Sequence, residues 1–208
     1  MMKKKQRIRF YISPGFLVSL AVLLYFDRQG ILSWLLPGCI VHEAAHWAAL
    51  RLAGGGVSEV RLTISGVAME LRHPDALSYP GELAAALAGP LANLFLALTA
   101  ALLGRWVTAP VFYLFSGLNL GLMAWNLLPA EPLDGGRALS VILSWLVSPT
   151  CAGLVLRITT LLTAVVMTVL GFYALGHGGG FTLLTTGLWL LLKPFDWRKG
   201  VVNRRVSI

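Results

Sequence analysis

Apolar residues in this chain come in long uninterrupted stretches, each closed by glycine, proline or charge. A bilayer-spanning helix needs about 20 mostly apolar residues, and six stretches approach that length. They run from Phe10 to Phe26, Ile31 to Ala53, Tyr79 to Leu103, Val107 to Leu128, Cys151 to Leu175 and Gly180 to Leu192. The last is the shortest, and its membership rests on parity with the charge pattern below. Between Gly56 and Pro74 the period changes. Val57, Val60, Leu62, Ile64, Val67, Met69 and Leu71 mostly alternate with Glu59, Arg61, Thr63 and Ser65, which predicts a β-hairpin over residues 57–72 turning at Ser65-Gly66. The expected fold is an all-α polytopic membrane protein of about six helices, with a small membrane-associated hairpin after the second.

Charge fixes the expected orientation. Lys3, Lys4, Lys5, Arg7 and Arg9 precede the first span, and Lys193, Arg198, Lys199, Arg204 and Arg205 follow the last. The positive-inside rule then puts both termini in the cytoplasm, which requires an even number of crossings. No small-residue cleavage site precedes Asp27, so the first span reads as retained and not as a signal peptide. Composition agrees: 208 residues, 57% apolar and 12% charged, with a net charge of +8. A soluble domain carries about 25% charge. That balance excludes disorder and a disulfide scaffold, and the location of basic charge at the ends excludes a nucleic-acid module. Cys39 and Cys151 lie in apolar surroundings and read as small packing residues. Length suits a single domain, residues 1–208.

Chemistry enters in the second stretch, as His42-Glu43-Ala44-Ala45-His46. Spacing of i and i+4 sets both imidazoles on one helical face, where they can share a metal, with Glu43 beside them to handle protons. From the numbers of His and Glu in the chain, about 0.002 such matches are expected by chance, so the metal reading prevails over two packed histidines. Ionisable groups within a span are costly and mark function. A catalytic zinc needs a third protein ligand and an open position. Glu70 falls in the strand-like segment, His73 and His177 read as solvated loop residues, and Cys39, one turn before His42, reads as packing. Asp134 remains. It follows Pro129 and Pro132 and precedes Gly135 and Gly136, so it sits where helix is denied and tight, positive-φ geometry is permitted. The alternative is an ordinary cytoplasmic loop.

These residues together resemble the site-2 proteases, the intramembrane zinc metalloproteases. The resemblance rests on the HEAAH sequence, on Gly89-Pro90-Leu91-Ala92-Asn93, and on Asn126-Leu127-Leu128-Pro129 through Pro132-Leu133-Asp134-Gly135-Gly136, and it is nearest to the stage IV sporulation protein FB type. It implies that His42, His46 and Asp134 bind one Zn2+, that Glu43 is the catalytic base, that Asn126 helps hold substrate, and that Asn93 supports the site. Glu131, between the two prolines, departs from the apolar residue expected there. No PDZ insertion or C-terminal CBS domain is expected. The implied activity is cleavage of a membrane-tethered protein, such as a pro-sigma or other transcription factor, in the membrane of a bacterial cell. The implied partners are that substrate, the bilayer, and a membrane regulatory or inhibitory protein, with no nucleic acid. The competing class is a metal-dependent transporter or channel without hydrolysis, which accounts for buried His and Asp but not for Glu43 inside the motif.

Overall fold

The computed structural model describes residues 8–63, 66–71 and 77–192. Ser65 of the expected turn, His73, Trp197 and the terminal basic residues Lys3, Lys4, Lys5, Arg7, Lys193, Arg198, Lys199, Arg204 and Arg205 lie outside them. The described residues form two compact units, one through Trp125 and one from Asn126.

In the first unit, β1 (Arg9–Ile12) leads into α1 (Pro14–Phe26) and α2 (Ile31–Leu52). Two strands follow, β2 (Val57–Thr63) and β3 (Gly66–Leu71), and then α3 (Tyr79–Val107) and α4 (Pro110–Asn126). The expected hairpin is present, with β2 and β3 antiparallel. It gains a third member: β1 pairs parallel to β2, Arg9 beside Glu59 and Ile12 beside Leu62. The first apolar stretch therefore does not begin as helix at Phe10. Ser13 starts α1 instead, its hydroxyl accepting from the Phe16 amide, and Pro14 supplies the φ that a first helical position needs. Glu59 lies opposite Glu70, a repulsive cross-strand pair, and Arg61 offsets it by reaching both carboxylates. Those carboxylates hold the guanidinium pKa above its ordinary value, the Glu59 hydrogen bond first.

Both ends of α2 are fixed by identifiable groups. Asp27 places Oδ1 at 2.9 Å from the Ile31 amide and Oδ2 at 2.8 Å from the Leu32 amide, satisfying two N–H groups with no helical partner and setting negative charge at the positive end of the helix dipole. At the other end Gly54 has φ +84°, the Gly55 amide donates to Leu50 at 2.8 Å and the Gly54 amide to Arg51 at 3.2 Å. That is a Schellman stop, and it needs a residue at ease in the left-handed region. Leu50 then packs with Val57, Met69, Leu77 and Ala85, tying the end of α2 to the sheet and to the start of α3.

The second unit contains α5 (Asp134–Leu146), α6 (Pro149–Gly176) and α7 (Thr182–Leu192). The helix α5 was not expected, because two glycines at its start and the prolines before it argue for a loop. It packs along α6, as α7 does. Gly171 lets α7 approach α6 closely: a Cβ there would sit 2.4 Å from the Leu184 nitrogen. The fourth stretch also begins later than expected, since Val107 ends α3, Thr108 is left-handed and Pro110 opens α4.

Among the described residues, α3 and α6 are long and apolar enough to cross a membrane. The helices α1 and α7 are apolar but, at about 1.5 Å per residue, shorter than the roughly 30 Å hydrocarbon core. The architecture is thus mostly helical with a three-stranded sheet, and among the described residues two helices meet the length and hydropathy of a span where six are expected. Trp106, Trp145 and Trp189 are exposed, as interfacial anchors would be. Along α3, Ala85, Ala86, Gly89, Ala97, Ala100 and Gly104 form the buried packing face, while Ala84 points outward.

The capping account of α2 yields a stability prediction. Asp27→Ala is expected to cost about 0.5–2 kcal/mol, read as a lower thermal midpoint in detergent. An unchanged midpoint would show that the two amide contacts contribute nothing.

Candidate metal centre

The buried residues of α2 are Gly38, His42, His46 and Leu50, one every four positions, so a single face of the helix carries the whole buried stripe. Both histidines lie on it, and Glu43 lies half-buried at its edge. The two Nε2 atoms are 3.0 Å apart, with the rings crossing at 80°. His46 Nδ1 is 2.6 Å from the Ala85 carbonyl of α3. A carbonyl only accepts, so Nδ1 donates the hydrogen; in the neutral ring this leaves the His46 Nε2 lone pair facing His42. A backbone partner of this kind is what orients a metal-binding imidazole.

The facing helix is shaped to receive them. A Cβ on Gly89 would stand 2.3 Å from His46 Nε2 and 2.6 Å from His42 Nε2, so glycine leaves open the space that the two nitrogens address. The Gly-Pro sequence is therefore more than helix packing. One turn further along the same α3 face, Asn93 is fully buried, and its amide nitrogen and oxygen meet no hydrogen-bond partner among the described residues. Asn119 on α4 is equally buried. Its Nδ2 donates to Phe115 at 2.9 Å, and its Oδ1 presses on Gly38, where a Cβ would come within 2.7 Å. Sequence reading missed Asn119, although a lone asparagine inside an apolar helix is the kind of signal that marks a constrained position.

In the second unit Asp134 is the first residue of α5, and it is buried. The irregular backbone expected around it spans Leu127 to Leu133, and the aspartate itself is helical. Gly135 and Gly136 do not adopt positive φ, contrary to expectation. Their role is close approach: a Cβ on Gly135 would lie 2.1 Å from the Leu127 carbonyl oxygen, and one on Gly136 2.5 Å from that of Ala130. The first turn of α5 thus rests directly on the preceding loop backbone. Glu131 is exposed, and Asn126, the last residue of α4, is half-buried.

His42 and His46 in the first unit and Asp134 in the second are all buried, and each offers one atom able to bind a metal ion. Cys39, Glu70, Glu131 and His177 are not among these candidate ligands. His177 is exposed at the end of α6, its Nδ1 at 2.9 Å from the Tyr173 carbonyl. Two imidazole nitrogens and one carboxylate oxygen are a donor set that suits zinc. The fixed tautomer of His46 and the space left by Gly89 fit that ion as well.

The fold is mostly helical, with two helices among the described residues long and apolar enough to cross a membrane, and its buried histidines and aspartate are of the types that bind zinc. Compared with protein-family models, the sequence has no match. It is 34% identical over 116 residues to a zinc metalloprotease of Methanocaldococcus jannaschii, covering 53% of this chain and 33% of that protein. It is 28% identical over 144 residues to stage IV sporulation protein FB of Bacillus subtilis, covering 66% of this chain and 48% of that one. The chain thus spans a third to a half of these relatives. The fold is similar to that of the site-2 protease from Methanocaldococcus jannaschii, with a TM-score of 0.65, 22% identity, and coverage of 91% of this chain and 90% of that one. In sequence the chain is thus similar to zinc metalloproteases, and in fold to a site-2 protease.

The Gly89 geometry can be tested directly. Gly89→Ala is expected to weaken zinc binding by about tenfold or more, measured by competition with a chelator, because the added methyl displaces both imidazoles. Zinc binding equal to wild type would show that the two nitrogens do not need that space.

Proposed function

We propose that the chain is a zinc-dependent intramembrane endopeptidase that cuts membrane-tethered proteins. The observation that carries this reading is the pair of Nε2 atoms at 3.0 Å on one buried face of α2, with His46 held in the tautomer that bares its nitrogen. Asp134 is the third ligand in this reading. Zinc, when bound, supplies a Lewis acid that lowers the pKa of water and polarises a peptide carbonyl. Glu43, adjacent to His42 on α2, accepts the proton of the attacking water on its carboxylate and returns it to the leaving nitrogen. Asn126 donates a hydrogen bond to the substrate backbone, and Asn93 supports the site from α3.

The substrate is a membrane segment that must leave its helix locally, because helical amides are shielded by the neighbouring turns. The sheet supplies a place to hold it extended. β2 is paired on both sides, so an added strand would lie along the outer edge of β3 or of β1. Both termini are placed in the cytoplasm with six crossings, and the product is released on that side. A transcription factor freed from its anchor, such as a pro-sigma factor, suits that release, and a relative named for sporulation agrees with it.

The decisive comparison is wild type against Glu43→Gln, reconstituted with a membrane-tethered substrate, with product and zinc measured together. The variant is expected to keep about one zinc per chain and to lose cleavage by at least about 100-fold. Cleavage retained by Gln would remove Glu43 from the proton-transfer role. Asp134→Ala is expected to lose zinc, and unchanged stoichiometry would remove it from the ligand set. Ion flux in liposomes without cleavage of any peptide would favour a transporter.

A further inference from the structure

The loop before Asp134 is unusually exposed to error, because Pro129 and Pro132 have no N–H with which to anchor it. Three N–H groups remain over residues 130–133. Ala130 donates to the Leu128 carbonyl at 2.8 Å and Leu133 to the Ala130 carbonyl at 2.8 Å, both within the loop. The third, of Glu131, donates to Thr160 Oγ1 on α6 at 2.9 Å. Of the three, only this bond ties the loop to another element.

Thr160 is suited to that task and differs from its neighbours. It is buried in α6, where Thr159 and Thr168 turn their hydroxyls back onto their own helix, to Leu156 at 3.1 Å and Ala164 at 2.8 Å. Thr160 Oγ1 accepts from the loop instead. The chain of contacts then continues toward the aspartate. Ala130 is fully buried, its carbonyl accepts from Leu133, its backbone lies against Gly136, and the Leu133 carbonyl accepts from Arg137 at 3.1 Å in the first turn of α5. Asp134 sits within that turn. Loss of the Thr160 acceptor leaves a loop N–H to be satisfied elsewhere, and movement of the loop is passed to Asp134 through the two glycine contacts.

We infer that Thr160 is a positioning residue for the Asp134 carboxylate, fixing from α6 the loop that presents this ligand to the metal. The inference rests on the proposed metal role of Asp134. Nothing in the zinc-site motif points to it, because the threonine lies 26 positions beyond the aspartate, in a different helix.

The test measures zinc affinity by chelator competition in the purified full chain for Thr160→Val, Thr160→Ser, Asp134→Asn and the double variant Thr160→Val with Asp134→Asn. Valine keeps the shape of threonine and removes the acceptor; serine keeps the acceptor. Thr160→Val is expected to bind zinc about tenfold or more weakly, the range for a group that orients a ligand, with Thr160→Ser near wild type. In the Asp134→Asn background the valine substitution is expected to add little, since its effect passes through the carboxylate. The thermal midpoint of the zinc-free protein, measured alongside, separates a loss of folded protein from a loss of affinity. Wild-type affinity in Thr160→Val, with affinity lost in Asp134→Asn, overturns the positioning role alone. An undiminished valine effect in the Asp134→Asn background also overturns it, as a general structural effect. Unchanged affinity in Asp134→Asn overturns the ligand assignment on which the inference rests.

Discussion

The contact between His46 Nδ1 and the Ala85 carbonyl, 2.6 Å long, sets the terms for the rest of the site. It crosses from α2 to α3, fixes where the ring proton resides and aims Nε2 at His42. It forms only if the two helices approach closely, and that approach is possible only because Gly89 has no side chain to meet the imidazoles. The small residues along α3 and the Schellman stop that lands Leu50 among Val57, Met69, Leu77 and Ala85 hold the same pair of helices together. One hydrogen bond and one missing methyl thus tie local helix chemistry to a metal-binding geometry.

The second constraint comes from the surroundings of the site. A helix carrying two histidines and a glutamate is unfavourable in hydrocarbon unless its polar face is covered, and α2 covers it with α3 and with Asn119 of α4. The loop Leu127 to Leu133 poses the corresponding problem for backbone. From Pro129 to Leu133 the prolines remove two N–H groups, turns satisfy those of Ala130 and Leu133, and Thr160 receives that of Glu131. His46, Ser116, Asn119 and Thr160 each meet a specific partner, whereas the Asn93 amide meets none among the described residues.

Much of this was legible in the chain. The alternation over residues 57–72 gave the hairpin, Gly54 gave the stop of α2, and HEAAH gave the imidazole pair, because each is encoded within a few neighbouring residues. What escaped was long-range. β1 pairs with a strand some fifty positions away, so Phe10 to Ile12 read as the start of a helix. α5 forms against the local preference of its two glycines, since close packing on the Leu127 and Ala130 backbone outweighs propensity. Asn119 and Thr160 carry no motif, and only their contacts with Gly38 and Glu131 distinguish them from packing residues. The spans show the same division: α3 and α6 announce themselves by length, while the polar cargo of α2 dilutes its hydropathy.

X-ray absorption at the zinc edge of the zinc-loaded protein tests the central claim most directly. The account predicts one zinc per chain whose nearest shell contains only nitrogen and oxygen, at about 2.0–2.2 Å, with scattering from two imidazole rings. A sulfur scatterer at about 2.3 Å, which would bring Cys39 or Cys151 into the ligand set, or scattering from fewer than two imidazoles, would contradict it.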